Sequence, residues 1–246
     1  MSSAPSTACL VIGAGDDLGS AIAKRFAAEG HVACVTRRAR HLDRLEALAQ
    51  SIRDDGHKAR AFGVDAREED DTIKLVETIE NEVGPIDVAV FNIGANVRFG
   101  VTETTSQVYR KVWEMAAYAG FLMGREVAKG MVARGRGTII FTGATASVRG
   151  QDGFSAFAGA KHALRALAQS MARELGPQGV HVAHVVIDGP IDSNFIREML
   201  PDADERRARE ALLDPDAIAE TYVWLAKQRR SAWTHELDLR PWSEPW

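Results

Sequence analysis

The sequence predicts an α/β fold: a doubly wound parallel sheet of about seven strands with helices on both faces, in one domain over residues 1–246. Three observations point there. Short apolar runs alternate with helix-period stripes along the chain, the pattern of a parallel sheet between helical layers. The first run, Ala8-Cys9-Leu10-Val11-Ile12, is apolar throughout, as a strand covered on both faces must be. A glycine-rich turn joins that run to the first helical stripe.

The elements follow in order. After the turn, residues 20–29 carry Ile22, Phe26 and Ala27 on one helical face. A second strand over 31–36 leads into a helix with the stripe Leu42, Leu45, Leu48 and Ile52. Further strands fit 59–64, 86–91, 138–141 and 180–187, and helices fit 71–83, 106–133 and 156–175. The alternation of residues 233–239 makes a seventh strand at one edge. Residues 192–214 interrupt the rhythm with mixed charge (Asp202, Asp204, Glu205, Arg206, Arg207, Arg209). They read either as a solvated helical insert or as a lid, because they follow a strand end where such folds bind ligands.

Composition narrows the function classes. A net charge of −4 with both signs interspersed argues against nucleic acid as a main partner. No apolar run approaches the roughly 18 residues that a membrane span requires. Met1-Ser2-Ser3-Ala4-Pro5 shows neither a basic flank nor an apolar signal segment, so a cytoplasmic protein is expected. The only cysteines, Cys9 and Cys34, lie in apolar strands and read as buried free thiols.

Chemistry concentrates in two places. Gly13-Ala14-Gly15-Asp16-Asp17-Leu18-Gly19 sits between strand one and its helix, where glycines let the backbone approach a pyrophosphate at a helix N-terminus. Asp17 works against this, since a carboxylate about 4 Å from a phosphate is repelled by roughly 1 to 4 kcal/mol. It can turn outward or cap the following helix. At the end of strand two, Thr36-Arg37-Arg38 and Arg40 replace the carboxylate that a ribose 2′-hydroxyl would want. Guanidinium groups suit a 2′-phosphate, so NADP(H) is expected in preference to NAD(H).

The second place is the stretch ending at Ala144 and the run Phe157-Ala158-Gly159-Ala160-Lys161. Together with the glycine loop these resemble the short-chain dehydrogenase/reductase family over essentially the whole chain. Gly13 and Gly19 match the outer glycines of its Thr-Gly-x-x-x-Gly-x-Gly motif, and Asp17 replaces the middle one. The resemblance implies a Rossmann-type fold and a nicotinamide cofactor. By the same resemblance Asp65 holds the adenine, Asn92-Ile93-Gly94 lies along the cofactor, Lys161 binds the nicotinamide ribose, and Asp188-Gly189-Pro190 stands by the carboxamide. It also implies a small-molecule substrate and a homotetramer or homodimer paired through the helices over 106–133 and 156–175. A Trp233, Trp242 and Trp246 cluster would otherwise leave aromatic surface in water.

The family's catalytic tyrosine, serine and asparagine fall at Phe157, Ala144 and Ala116, which can neither donate a proton nor polarise a carbonyl. Lys161 alone remains. Substitutes include Thr145, Ser147, Ser155, Tyr118 and above all Asp188, an ionisable group beside the nicotinamide. Ala144, Phe157, Ala116 and Ser147 would form the substrate pocket. His181 and His184 fall on opposite faces of one strand and make no metal site. Three functions compete: an NADP(H)-dependent oxidoreductase with a non-standard proton donor, acting on a small apolar carbonyl, imine or alkene; a non-redox lyase or isomerase with Asp188 or a serine as base; and a nucleotide-binding sensor or subunit without turnover.

Overall fold

Ala8–Ile12 forms β1 with every residue buried, and the strands that flank it are nearly as apolar, which fixes them at the centre of the sheet. The computed structural model describes residues 6–244. The leader expectation on residues 1–5 and Trp246 lie outside the described residues. Among them, seven strands run β3-β2-β1-β4-β5-β6-β7, all parallel. They are β1, β2 (Val32–Arg37), β3 (Lys58–Gly63), β4 (Ile86–Phe91), β5 (Gly137–Thr142), β6 (Val180–Ile187) and β7 (Glu236–Leu239).

The winding reverses between β1 and β4, so a crevice opens where their C-terminal ends diverge. On one face α1 (Leu18–Ala28) and α2 (Leu42–Asp54) bury Ile22, Phe26, Leu45 and Ile52. On the other, α3 (Glu69–Glu82) contributes Leu75 and Ile79. The predicted helix over 106–133 is three pieces in one rod: α4 (Ser106–Trp113), a π-helical turn at Glu114–Tyr118, and α5 (Ala119–Arg134). Periodicity cannot show the single extra residue of a π-turn, a feature frequent at functional sites. α6 (Ser155–Leu175) packs beside α4 and brings Lys161 and Phe157 to the crevice.

Residues 192–214 fold as two short helices, α7 (Asn194–Met199) and α8 (Ala203–Ala208), ahead of α9 (Pro215–Ala226). Their base is drawn together by a bridge between Ile191 and Leu213. Much of the mixed charge is spent internally, since Asp192 pairs with both Arg197 and Arg207. The last strand is shorter than its alternation implies, beginning at Glu236. Trp233 stacks instead on His181, with ring centroids 4.9 Å apart, and Trp242 is 78% exposed with its indole N–H on the Arg209 carbonyl.

Cys9 and Cys34 are both buried, and burial pushes both thiols up, Cys34 to about 12, so neither is reactive. No described helix is long and apolar enough to cross a membrane.

Candidate active site

The glycine loop is shaped by its surroundings. Gly13 has φ +87°, and a Cβ there would lie 2.9 Å from the Asn92 carbonyl oxygen. A Cβ on Gly19 would come within 2.5 Å of the Gly13 carbonyl oxygen, so only glycine lets α1 start this close to β1. Gly15 and Gly94 have open space where a side chain would stand, leaving a cradle of bare backbone. Asn92 ties the two strand ends together, its side-chain amide donating to the Gly13 carbonyl at 3.2 Å and its backbone N–H to that of Ile12 at 2.8 Å.

A cavity of about 450 Å³ opens over this cradle. Its wall brings together Gly13, Gly15, Asp17, Leu18, Gly19, Asn92, Gly94, Ala144, Phe157, Lys161 and Gly189 from the sequence-derived set. A second cavity of about 260 Å³ shares Gly13, Gly15, Asn92 and Gly94 with it and runs on to Arg37, Arg38 and Asp65. The residues expected along a dinucleotide therefore line one continuous crevice over the strand ends.

Within that crevice the two arginines differ. Arg37 donates to Asp16 Oδ1 at 3.0 Å, and Arg44 shares the same carboxylate at 3.5 Å. Arg37 is thus already charge-paired, contrary to its expected freedom to face a phosphate. The Arg38 side chain forms no hydrogen bond or salt bridge among the described residues and lines the second cavity beside His41. Burial and the neighbouring Arg40 lower its pKa. Asp65 is gripped by Arg67, whose Nε and Nη2 donate at 2.9 and 2.5 Å, which holds its carboxyl below the ordinary range. Arg67 had no signal in the sequence beyond its place two residues after Asp65.

Lys161 is buried, and its Nζ donates to the carbonyls of Thr142 at 2.8 Å and Ile93 at 3.0 Å. Two of its three N–H bonds are spent there, and the third remains for the cavity that it lines. Burial lowers its pKa to about 7. The Phe157 ring centroid lies 5.8 Å from Nζ, so the ammonium faces an aromatic ring where the resemblance puts a phenol.

Ala144 and Phe157 reach the cavity wall; Ala116 and Ser147 do not. Ala116 sits in the π-turn, fully buried in a small apolar cluster with Ala146, Phe157 and Ala160. Ser147 is also fully buried, because its hydroxyl accepts the Ala144 N–H at 3.1 Å and closes a tight turn. Neither forms a wall of that cavity. Tyr118 faces away, stacked between Trp113 and Phe121.

Asp188 also departs from its expected place. Its buried carboxylate accepts Thr145 Oγ1 at 2.6 Å and pairs with Arg149 at 3.3 Å and Arg240 at 3.1 Å. Three donors on two oxygens make it a clamp between the β5–α6 loop and the C-terminal segment, and the cavity is lined by its neighbours Ile187 and Gly189 rather than by Asp188. Thr145, Asn96, Arg149 and Gln151 are polar wall residues; of these only Thr145 was legible beforehand. His184 points its Nδ1 at Glu236, 2.9 Å away, and burial lowers its pKa to about 4. No group of three or more metal-ligating side chains occurs among the described residues.

Known proteins resemble this chain in sequence and in fold. The family profile described as short chain dehydrogenase matches residues 7–204. A short-chain dehydrogenase crystal structure from Rhodopseudomonas palustris is 45% identical, with a TM-score of 0.82 over 96% of this chain and 99% of that one. A short-chain dehydrogenase/reductase of Armillaria gallica is 32% identical over 184 residues, 74% of this chain and 70% of its own length. An actinorhodin polyketide ketoreductase variant crystallised with NADPH shares the fold, with 24% identity and a TM-score of 0.87 over 96% of both chains.

Proposed function

This chain belongs to the short chain dehydrogenase family, and from that premise we propose that it is an NADP(H)-dependent oxidoreductase acting on a small, largely apolar carbonyl, imine or alkene. The observation that carries the reading is a pair of adjoining cavities that share the bare glycine cradle, one lined by Lys161 and the other by Arg38. Gly15 and Gly94 fit a pyrophosphate because no side chain fills the space it would need. The remaining Lys161 donor suits ribose hydroxyls, and Asn92 holds the crevice floor. The cofactor supplies hydride transfer when bound.

What the chain adds at the reacting end is mainly exclusion and orientation. Phe157, Phe154, Ala144 and Ile187 give an apolar wall, which favours a substrate with little polar surface. A polar group on the same cavity wall is Thr145, whose hydroxyl is oriented by Asp188. Asp188 meets the cavity only through that hydroxyl, since the carboxylate itself does not line the wall.

Calorimetry tests the cofactor assignment. NADPH should bind at least tenfold more tightly than NADH. Arg38→Ala should remove most of that preference, roughly ten- to a hundredfold for a charged hydrogen bond. Arg37→Ala should cost less, because its guanidinium is already held by Asp16. Equal affinity of the parent protein for both cofactors sinks the assignment.

Assembly into a homodimer or homotetramer belongs to the same reading. Tyr109, Trp113 and Phe121 stand 45, 41 and 39% exposed along the α4–α5 rod, an aromatic face that an isolated chain would leave in water. Light scattering at micromolar concentration should give at least twice the 26.8 kDa chain mass. A monomer counts against it.

A further inference from the structure

Asp17, the residue that breaks the glycine pattern, has a partner that no local rule foretells. It stands at the N-cap of α1, yet its side chain makes no capping bond to that helix. Its Oδ1 instead accepts the backbone N–H of Asn194 at 3.3 Å, from 177 residues further along the chain. Asn194 begins α7, whose first turn is capped separately by Ser193, the hydroxyl accepting the Ile196 N–H at 3.2 Å. Arg197 on the same helix is paired with Asp192 and also feels the negative charge of Asp17. Asp17 and Ser193 both line the large cavity, so this bond joins the glycine loop to the 192–214 segment across the cavity wall.

We propose that Asp17 is a latch that ties the 192–214 segment to the glycine loop, and that this tether and cofactor binding oppose each other. The inference rests on the reading of the glycine loop as a dinucleotide site. A pyrophosphate at that loop brings like charge up to the carboxylate, and a single bond to a neutral N–H holds the carboxylate in place only weakly. Coupling of this kind is reciprocal: the factor by which phosphate weakens the tether is the factor by which the tether weakens cofactor binding. The segment carries in α7 a helix that buries none of its residues. Its base is closed independently of Asp17, the Asp192 N–H donating to the Leu213 carbonyl at 2.8 Å and the Leu213 N–H to that of Pro190 at 2.9 Å. Release of Asn194 therefore loosens the start of α7, which Ser193 and Asp192 still hold, without opening the end of β6.

Two variants separate charge from tether. Asp17→Asn keeps an acceptor oxygen without the charge, and Asp17→Ala removes both. Amide exchange read by mass spectrometry on the cofactor-free proteins should be at least fivefold faster at residues 193–199 in Asp17→Ala and close to parental in Asp17→Asn. NADPH should bind Asp17→Ala roughly five- to tenfold more tightly than the parent and Asp17→Asn, which keeps the tether, by a smaller factor. An equal gain in both variants reports charge repulsion alone and overturns the tether. Parental exchange in Asp17→Ala, or NADPH affinity unchanged or weakened in both variants, overturns the latch. A parent protein that binds neither NADPH nor NADH overturns the dinucleotide site itself, an outcome distinct from normal binding that ignores Asp17.

Discussion

The Ala144→Ser, Phe157→Tyr double variant is expected to reduce carbonyl compounds ten- to a hundredfold faster than the parent protein at saturating NADPH. Both positions line the cavity, and the Phe157 ring already lies 5.8 Å from the Lys161 ammonium nitrogen. A phenol there would have a cation beside it to stabilise its ionised form, as a general acid needs near neutral pH. A serine at 144 would add a hydrogen-bond donor for the substrate oxygen. Ala116 remains buried in the π-turn and contributes no polar group, so the gain should stay below the 10² to 10⁴ typical of a complete acid–base system. Absorbance of NADPH across a ketone, aldehyde and imine panel measures it. If the double variant binds NADPH normally yet reduces nothing in that panel, the cleft serves non-redox chemistry or nucleotide sensing.

Lys161→Met should weaken NADPH binding by roughly ten- to a hundredfold, the 1.5 to 3 kcal/mol of a charged hydrogen bond. It should also change how stability depends on pH. Burial brings the folded-state pKa from 10.5 down to about 7. Between those values the unfolded chain binds more protons than the folded one, so this residue makes stability rise with pH across that window. Below pH 7 both states are protonated and the burial penalty is present in full. The contribution approaches about 1.4 kcal/mol per pH unit within the window. The buried Cys9 and Cys34 oppose it only as pH nears 9, because their raised pKa values delay ionisation in the folded state alone. Urea unfolding of parent and variant between pH 7 and 8.5 isolates the lysine. The slope should be lost in Lys161→Met, whatever the variant's absolute stability after the Thr142 and Ile93 carbonyls lose their donor. In the parent, NADPH affinity should fall as pH rises above 7, since binding favours the ammonium. An identical slope in the two proteins would show that Lys161 does not titrate in this range.

The sequence by itself determined the parallel sheet, the glycine loop at the end of β1 and the shared helix face of Phe157 and Lys161. Each is a local consequence of composition. Strands covered on both faces must be apolar throughout, a backbone bent as sharply as that at Gly13 must lack a Cβ, and four residues on a helix bring Phe157 and Lys161 to one face. Strand and helix ends shifted by a residue or two, as at β2 and α3, because caps and pairing partners set them. What only the tertiary structure decided was how each charge is spent. Arg37 and Arg38 are alike in sequence, yet one is claimed by Asp16 and the other is left to the cavity. Asp188 carries the same carboxylate as a catalytic base, but Thr145, Arg149 and Arg240 turn it into a clamp. Asp17 reads as a cap or an outward-facing charge and is bound instead to Asn194. An ionised group takes whichever donors the fold brings within hydrogen-bond reach, and those donors come from elements whose distance along the chain says nothing of their distance in space.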